Sequence, residues 1–341
     1  MKSGSYFKKT GGEVIICTLC PHNCRLFHEG KKITGKCGTR KGHNGSIEIL
    51  NYGRISAASI DPVEKKPLFH FKPGTKTFSI ATNGCNMICP FCQNSSLSQT
   101  PLSGDFKFSN VSLCSPKEVV DKALDNNCES ISFTYSEPVL SLEFALETAY
   151  FAQKESIDII FVTNGQINPR PLLDLAGVLN AANVDLKSFS DKTYKNILGG
   201  NLAAAINTIE ILYKHGVIVE ISTLIVPGLN DTDDEIFKMA DFIAQLDKEI
   251  PWHILRFFPS YKYLNYKGTS VKSMEKALQI ADDAGLKHVY CGNVPLTKYE
   301  NTVCSQCGNI IIRRSGYNIF ETALDNGKCS FCGYKLYGSG F

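Results

Sequence analysis

Ten residues, CNMICPFCQN from Cys85 to Asn94, carry three thiols at the spacing Cys85-x3-Cys89-x2-Cys92. Three thiolates on one short loop can wrap one face of an iron–sulfur cubane. The polar residues and the proline within the stretch suit a loop better than a helix. A 4Fe–4S cluster held by three thiolates keeps one iron open, and an open position separates a catalytic metal site from a closed structural one. The alternative for the same residues is a zinc ion with a distant fourth ligand.

The chain has cysteines to spare: fourteen in 341 residues, eleven of them in three tight groups. The opening MKSGSYFKKTGGE lacks the apolar core of a signal peptide, so a cytoplasmic location is expected, where metal binding outranks disulfides. Cys17-x2-Cys20-Pro21-His22-x-Cys24, followed by Cys37, has enough thiolates for a closed site. Zinc is the first expectation there, with His22 as a substitute ligand; a second Fe–S cluster is the alternative. Cys304-x2-Cys307-Gly308 and Cys329-x2-Cys332-Gly333 are matching knuckles joined by the strand-like IIIRRSGYNIF, the pattern of a zinc ribbon or a rubredoxin-like site. The sulfur set alone does not choose between zinc and iron. The glycine after each knuckle permits a tight turn that brings backbone N–H groups to sulfur. Cys114, Cys128 and Cys291 stand alone and read as small buried hydrophobes.

The elements that must position these groups divide the chain into three regions. Residues 1–75 hold the first cysteine group, a strand-like pair at Ser46–Tyr52 and Ile55–Ile60, and a linker. Residues 76–295 alternate strands with helices, and 296–341 form a compact cysteine module. Strands are expected at Thr77–Thr82, Ser130–Tyr135, Asp158–Thr163, Asn183–Ser188, Val217–Val226 and Trp252–Phe257. They are short, β-branched or aromatic and nearly continuous in apolarity, as buried parallel strands are. Helices are expected near Ser115–Asn126, Ser141–Lys154, Arg170–Ala181, Leu202–His215 and Ser273–Ala284. Another follows Thr232, which with Glu235 repeats the capping box of Ser115 and Glu118. Such units give an α/β fold, a partial or closed (β/α) barrel or an open doubly wound sheet, with functional residues at the carboxyl ends of the strands.

Composition excludes other roles. The hydrophobic fraction of 43% and the charged fraction of 20% are those of a soluble globular protein. With 36 basic against 33 acidic residues, net charge +3, there is no electrostatic case for nucleic acid. Apolar runs such as Ile157–Val162 are too short to span a bilayer. The linker DPVEKKPLFHFKPG, Asp61–Gly74, reads first as a packed connection with solvated charges. The sharper reading folds it over the site's mouth, supplying Lys65 or His70 to substrate.

The three-cysteine loop, with Phe91 before its last cysteine, resembles the signature of radical S-adenosylmethionine (SAM) enzymes. Strand ends agree: Thr134-Tyr135-Ser136-Glu137-Pro138 stands where that superfamily usually has Gly-Gly-Glu-Pro, with Tyr135 and Ser136 replacing both glycines. Asp185-Leu186-Lys187 looks like the Asp-x-Lys of pyruvate formate-lyase activating enzymes, and Val226-Pro227-Gly228-Leu229-Asn230-Asp231 is similar to a turn of that group. Where those enzymes tend to have histidine, this chain reads Arg256-Phe257-Phe258-Pro259. Nearly the full length, from CTLCPHNC through the linker to the terminal double knuckle, resembles the radical SAM member of the AmmeMemoRadiSam system.

The resemblance implies a 4Fe–4S cluster on Cys85, Cys89 and Cys92, whose open iron chelates SAM. It further implies reductive cleavage to a 5′-deoxyadenosyl radical and hydrogen abstraction from an unidentified substrate. Phe91 and Gln93 would border the adenine; Glu137, Asp185 and Lys187 would orient the methionyl end; Tyr135, Ser136 and Asn164 would be further cofactor contacts, and Arg256 would hold an anionic substrate group or a cofactor oxygen. An external one-electron donor, one or two structural zinc ions, and Memo-like and AMMECR-type partner proteins are also expected. Two rivals stand beside this reading: an activase installing a glycyl radical on a partner protein, and a non-catalytic assembly protein whose cysteine groups are all closed zinc sites.

Overall fold

The computed structural model describes residues 2–10, 13–27, 33–102, 106–294 and 297–341. Pro295 and Leu296, where the expected boundary between core and C-terminal module falls, lie outside the described residues. Eight strands make the central sheet in strict sequence order: β1 (Ile55–Pro62), β2 (Lys76–Thr82), β3 (Ser130–Phe133), β4 (Asp158–Thr163), β5 (Ala181–Asp185), β6 (Ile218–Ile225), β7 (Trp252–Arg256) and β8 (Val289–Gly292). β2 to β8 are parallel, and β1 pairs antiparallel with β2. β1 and β8 are the two edges, so the barrel is partial rather than closed.

The six expected strands are all present. The structure adds a seventh parallel strand, β8, and takes Ile55–Pro62 into the core sheet. Ser46–Ile49 pairs instead with Arg40–His43 in a small N-terminal sheet, so the two segments of the expected N-terminal strand pair belong to different sheets.

Helices α1 (Pro116–Asp125), α2 (Leu142–Lys154), α3 (Pro169–Ala176), α4 (Leu202–Lys214), α5 (Asp233–Leu246) and α6 (Val271–Asp283) connect the parallel strands. Ser115 and Glu118 form the expected capping box, with Pro116 in the first turn. At α5 the box is only half made. Thr232 Oγ1 accepts from Glu235 N, but the Glu235 carboxylate instead accepts from Ser188 Oγ and Phe189 N, tying down the loop after β5. α3 ends at Ala176, five residues short of the expected Ala181. Gly177 caps it, and the Asn180 side chain accepts from Ile159 N, which releases Ala181 and Ala182 into β5.

The linker crosses the barrel's inner side. Val63, Leu68 and Phe71 pack against Ile160 and Ala181, while Ile159 and Phe161 belong to the main core. At the amino ends of the strands the C-terminal module is bound to the barrel by Tyr337, whose hydroxyl bonds both Val219 N and Val219 O. IIIRRSGYNIF forms a hairpin, Ile310–Ser315 with Asn318–Thr322, turning at Gly316. The carboxyl ends of the strands are left for chemistry. No helix among the described residues is long and apolar enough to cross a membrane.

Candidate functional site

β2 delivers the chain to Gly84 and the cysteine loop. Gly84 has φ +117°, and a Cβ there would stand 2.4 Å from Thr39 Cγ2, so only glycine lets the loop press against the N-terminal region. Ile88 N donates to Leu198 O, Lys262 N to Pro90 O, and Gln99 Nε2 to Met87 O, so the loop is fixed from three sides. Met87 N lies 3.3 Å from Cys85 Sγ, Asn164 Nδ2 3.5 Å from it, and Ser98 Oγ 3.3 Å from Cys92 Sγ. These polar contacts can stabilise negative charge on sulfur.

Cys85, Cys89 and Cys92 open into a cavity of about 310 Å³ at the carboxyl ends of the strands. Phe91, Gln93, Tyr135, Ser136, Glu137, Asn164, Asp185 and Lys187 line the same space, so the expected site residues converge from the loop and from β3, β4 and β5. Lys65, Val162, Leu224 and Leu255 join them. Arg256 stands apart from that lining: its Nε donates to Thr269 O at 2.7 Å, and its guanidinium lies 4.9 Å from the Phe258 ring.

Glu137 is buried and saturated. Its Oε1 accepts from Val139 N and Thr163 Oγ1 at 3.1 and 2.7 Å, and its Oε2 from Asn164 N at 2.9 Å. Burial still pushes this carboxyl up to about 7, against those hydrogen bonds. The group therefore ties the end of β3 to the end of β4. Lys187 Nζ sits 2.8 Å from Asp185 Oδ2; burial alone would lower its pKa, but the Asp185 carboxylate outweighs this and holds the ammonium well above its ordinary range. Asn230, from the Pro-Gly-Leu-Asn turn, donates to Lys187 O and Leu224 O and joins the ends of β5 and β6.

Tyr135 takes the left-handed backbone of a glycine, φ +65°, and Ser136 N is used within the turn, donating to Thr134 O. The Tyr135 hydroxyl donates to Asp61 Oδ2, which also bonds Lys66 Nζ at 2.7 Å, while Asp61 Oδ1 holds Lys65 Nζ at 2.8 Å. Burial would raise the Asp61 pKa, but the two lysines and the tyrosine hold it well below the usual carboxylate range. Lys65 thus reaches the cavity. His70 does not: it is fully buried, bonded to Tyr337 O at 2.7 Å and Tyr290 OH at 2.6 Å, under the C-terminal module.

All fourteen cysteines are free of disulfides, and the lone Cys114, Cys128 and Cys291 are buried as expected. In the C-terminal module Cys304 and Cys332 sulfurs are 3.6 Å apart, Cys307 and Cys329 3.7 Å. A tetrahedral ion with Zn–S bonds of ~2.3 Å separates its sulfurs by ~3.8 Å, so this set fits one metal ion. Gly308 and Gly333 both have φ +75°, the tight turns their positions require. Among the described residues these four are the one set of three or more ligand atoms all within 4.8 Å of one another. His22, considered as a substitute ligand in the N-terminal set, instead meets Asn86 O through Nε2 at 2.7 Å.

Cys85, Cys89 and Cys92 offer three thiol donors from one short loop to one cavity, the donor number of a cluster with one iron left open. Burial raises the Cys85 thiol well above its ordinary range and Cys89 to about 11, so thiolates there need a cation at sulfur. A three-thiolate cluster with an exposed face fits the donor set and the cavity beyond it.

Residues 79–243 match the family model described as the Radical SAM superfamily. The chain is 35% identical to the uncharacterized protein MJ0808 of Methanocaldococcus jannaschii over 98% of this chain and 99% of that one. It is 25% identical to the pyruvate formate-lyase 1-activating enzyme of Escherichia coli over 64% of this chain and 93% of that enzyme. A crystal structure of a radical SAM methyltransferase from Sphaerobacter thermophilus superposes with a TM-score of 0.50 at 14% identity, covering 86% of this chain and 77% of that one, which establishes the shared fold.

Proposed function

This chain belongs to the radical SAM superfamily, and we propose that it binds a 4Fe–4S cluster through Cys85, Cys89 and Cys92 and cleaves SAM reductively to abstract hydrogen from a substrate. The observation that carries the reading is the convergence of those three thiols with Glu137, Asn164, Asp185 and Lys187 on one cavity. When bound, the cluster and SAM supply one-electron cleavage and an adenosyl radical; the protein supplies position and shelter.

Lys187, poised by Asp185, offers a point charge to the SAM carboxylate. Glu137 is a positioning residue, holding Asn164 beside Cys85 through their shared backbone and side-chain bonds. Phe91, packed edge-on to Phe257 and near Tyr263, forms with Gln93 the wall proposed for the adenine. Val162, Leu224 and Leu255 give an apolar floor, which limits water near a radical. Lys65 at the rim offers a cation to substrate. An external one-electron donor is required, and Memo-like and AMMECR-type proteins remain the partners proposed from resemblance.

A second reading, activation of a glycyl-radical partner, has in its favour the 25% identity to an activating enzyme. A glycyl signal in electron paramagnetic resonance (EPR) after incubation with a candidate partner would select it. Membership in an enzyme family removes the reading of a non-catalytic zinc protein.

The test of the main proposal is anaerobic formation of 5′-deoxyadenosine from SAM by the reduced protein. Alanine at any one of Cys85, Cys89 or Cys92 should abolish it; cleavage retained in these variants would refute the assignment.

A further inference from the structure

Three cysteine sets in one chain allow a comparison made within a single molecule. The C-terminal four gather to single-ion distance, Cys85, Cys89 and Cys92 face the cavity, and Cys17, Cys20, Cys24 and Cys37 make a third set. The N-terminal four are one group, with Cys17, Cys24 and Cys37 all charge neighbours of Cys20. Cys17, Cys20 and Cys37 are buried and Cys24 half-buried, and a Cβ at Gly35 would stand 3.7 Å from the sulfurs of both Cys24 and Cys37. Four thiols, mostly buried and grouped beside Gly35, match the donor number of a closed cubane.

A second observation points to the same ligand. Arg40 is fully buried, and its Nε and Nη1 have no hydrogen-bond partner; only Nη2 is paired, with Glu143. The guanidinium is a charge neighbour of Cys17 and Cys37. Buried N–H groups left unpaired are destabilising, and the sulfurs of a cluster are acceptors that would satisfy them.

The group also touches the catalytic loop. His22, between Cys20 and Cys24, bonds Asn86 O at 2.7 Å, one residue from Cys85. Asn168, after β4, donates to Cys20 O at 3.0 Å, and Thr39 packs on Gly84. A short covalent and hydrogen-bonded path therefore runs from Cys20 to Cys85.

We propose that Cys17, Cys20, Cys24 and Cys37 hold a second 4Fe–4S cluster, closed by four thiolates, that relays single electrons to the metal site at Cys85, Cys89 and Cys92. One electron enters from a low-potential one-electron reductant of the flavodoxin or ferredoxin class, lowering the closed cluster from 2+ to 1+. It leaves to the catalytic site, returning the relay to 2+; no bond forms or breaks and no proton moves. With four thiolates there is no open iron, so the site transfers electrons and does not bind SAM. The relay half of the proposal rests on the proposed reaction; the cluster half does not.

The full-length chain, reconstituted anaerobically with iron and sulfide, should hold about eight acid-labile sulfides, four per cubane. About four sulfides, with zinc in the remaining site, would overturn the proposal without any variant. The triple variant Cys85→Ala, Cys89→Ala, Cys92→Ala should retain about four sulfides and a dithionite-reducible EPR signal; absence of both would also overturn it. For the relay, Cys20→Ala with Cys24→Ala should slow reduction of the remaining cluster by reduced flavodoxin at least ~10-fold in stopped-flow absorbance, with SAM affinity unchanged. An unchanged rate would refute the relay. Failure of the radical SAM reading would show separately, as a wild-type EPR signal that SAM does not alter.

Discussion

Lys187→Ala separates binding from stability. Lys187 Nζ lies 2.8 Å from Asp185 Oδ2, with the two side chains 17% and 33% exposed, so the pair keeps contact with cavity solvent. A pair in that setting contributes about 0–1 kcal/mol to folding. Its value to a bound carboxylate is larger, because hydrogen bonds to charged groups are worth about 1.5–3 kcal/mol. The truncation also leaves Asp185 unneutralised in the cavity wall, facing the SAM carboxylate. The dissociation constant for SAM should therefore rise roughly 10- to 150-fold, while the melting temperature moves by no more than about 2–4 °C. Anaerobic equilibrium binding with radiolabelled SAM, beside iron analysis of the same sample, reads both. Unchanged affinity with full iron content would remove Lys187 from the cofactor site, and loss of iron would make its role structural.

Three other perturbations test other parts of the molecule. Gly84→Ala forces a Cβ to 2.4 Å from Thr39 Cγ2 at φ +117°, so it should destabilise by about 1–3 kcal/mol and lower iron content; a urea midpoint equal to wild type would refute the close approach. Glu137, raised to about 7 by burial from an ordinary 4.5, contributes stability that is full below about 4.5 and lost as pH rises through about 7. In the metal-free chain, urea stability from about pH 5 to about pH 8 should fall more steeply for wild type than for Glu137→Gln; parallel curves would refute this. Cys307→Ala should release the C-terminal metal and leave the catalytic iron in place, since that module docks at the opposite end of the barrel through Tyr337. Metal analysis showing both lost would contradict the separation.

Local signals carried most of the site. Cys85, Cys89 and Cys92 share one loop, and Glu137, Asn164, Asp185 and Lys187 sit at strand ends whose direction parallel topology fixes, so their convergence was legible before any coordinates. Non-local relations were not. Lys65 reaches the cavity because Asp61 and Tyr135, 74 residues apart, share a hydrogen bond, and no periodicity encodes such a contact. His70 looked equally available in sequence, yet Tyr290 and Tyr337 bury it. Arg256 lies at a strand end too, but Thr269 O captures its guanidinium. Strand β8, Val289–Gly292, is no shorter than β3 but ends in a glycine, which weakens the strand pattern. Glu235 has capping-box spacing, but two partners beyond β5 outcompete its own helix end.

The most direct test is electron–nuclear double resonance on the dithionite-reduced protein with SAM labelled with nitrogen-15 at its amino group. Coordination at an open iron should give a nitrogen hyperfine coupling to the cluster spin, lost when Cys89 is replaced by alanine. A reduced cluster that shows no coupling at saturating SAM would contradict the assignment of Cys85, Cys89 and Cys92 as a three-thiolate site with one iron free.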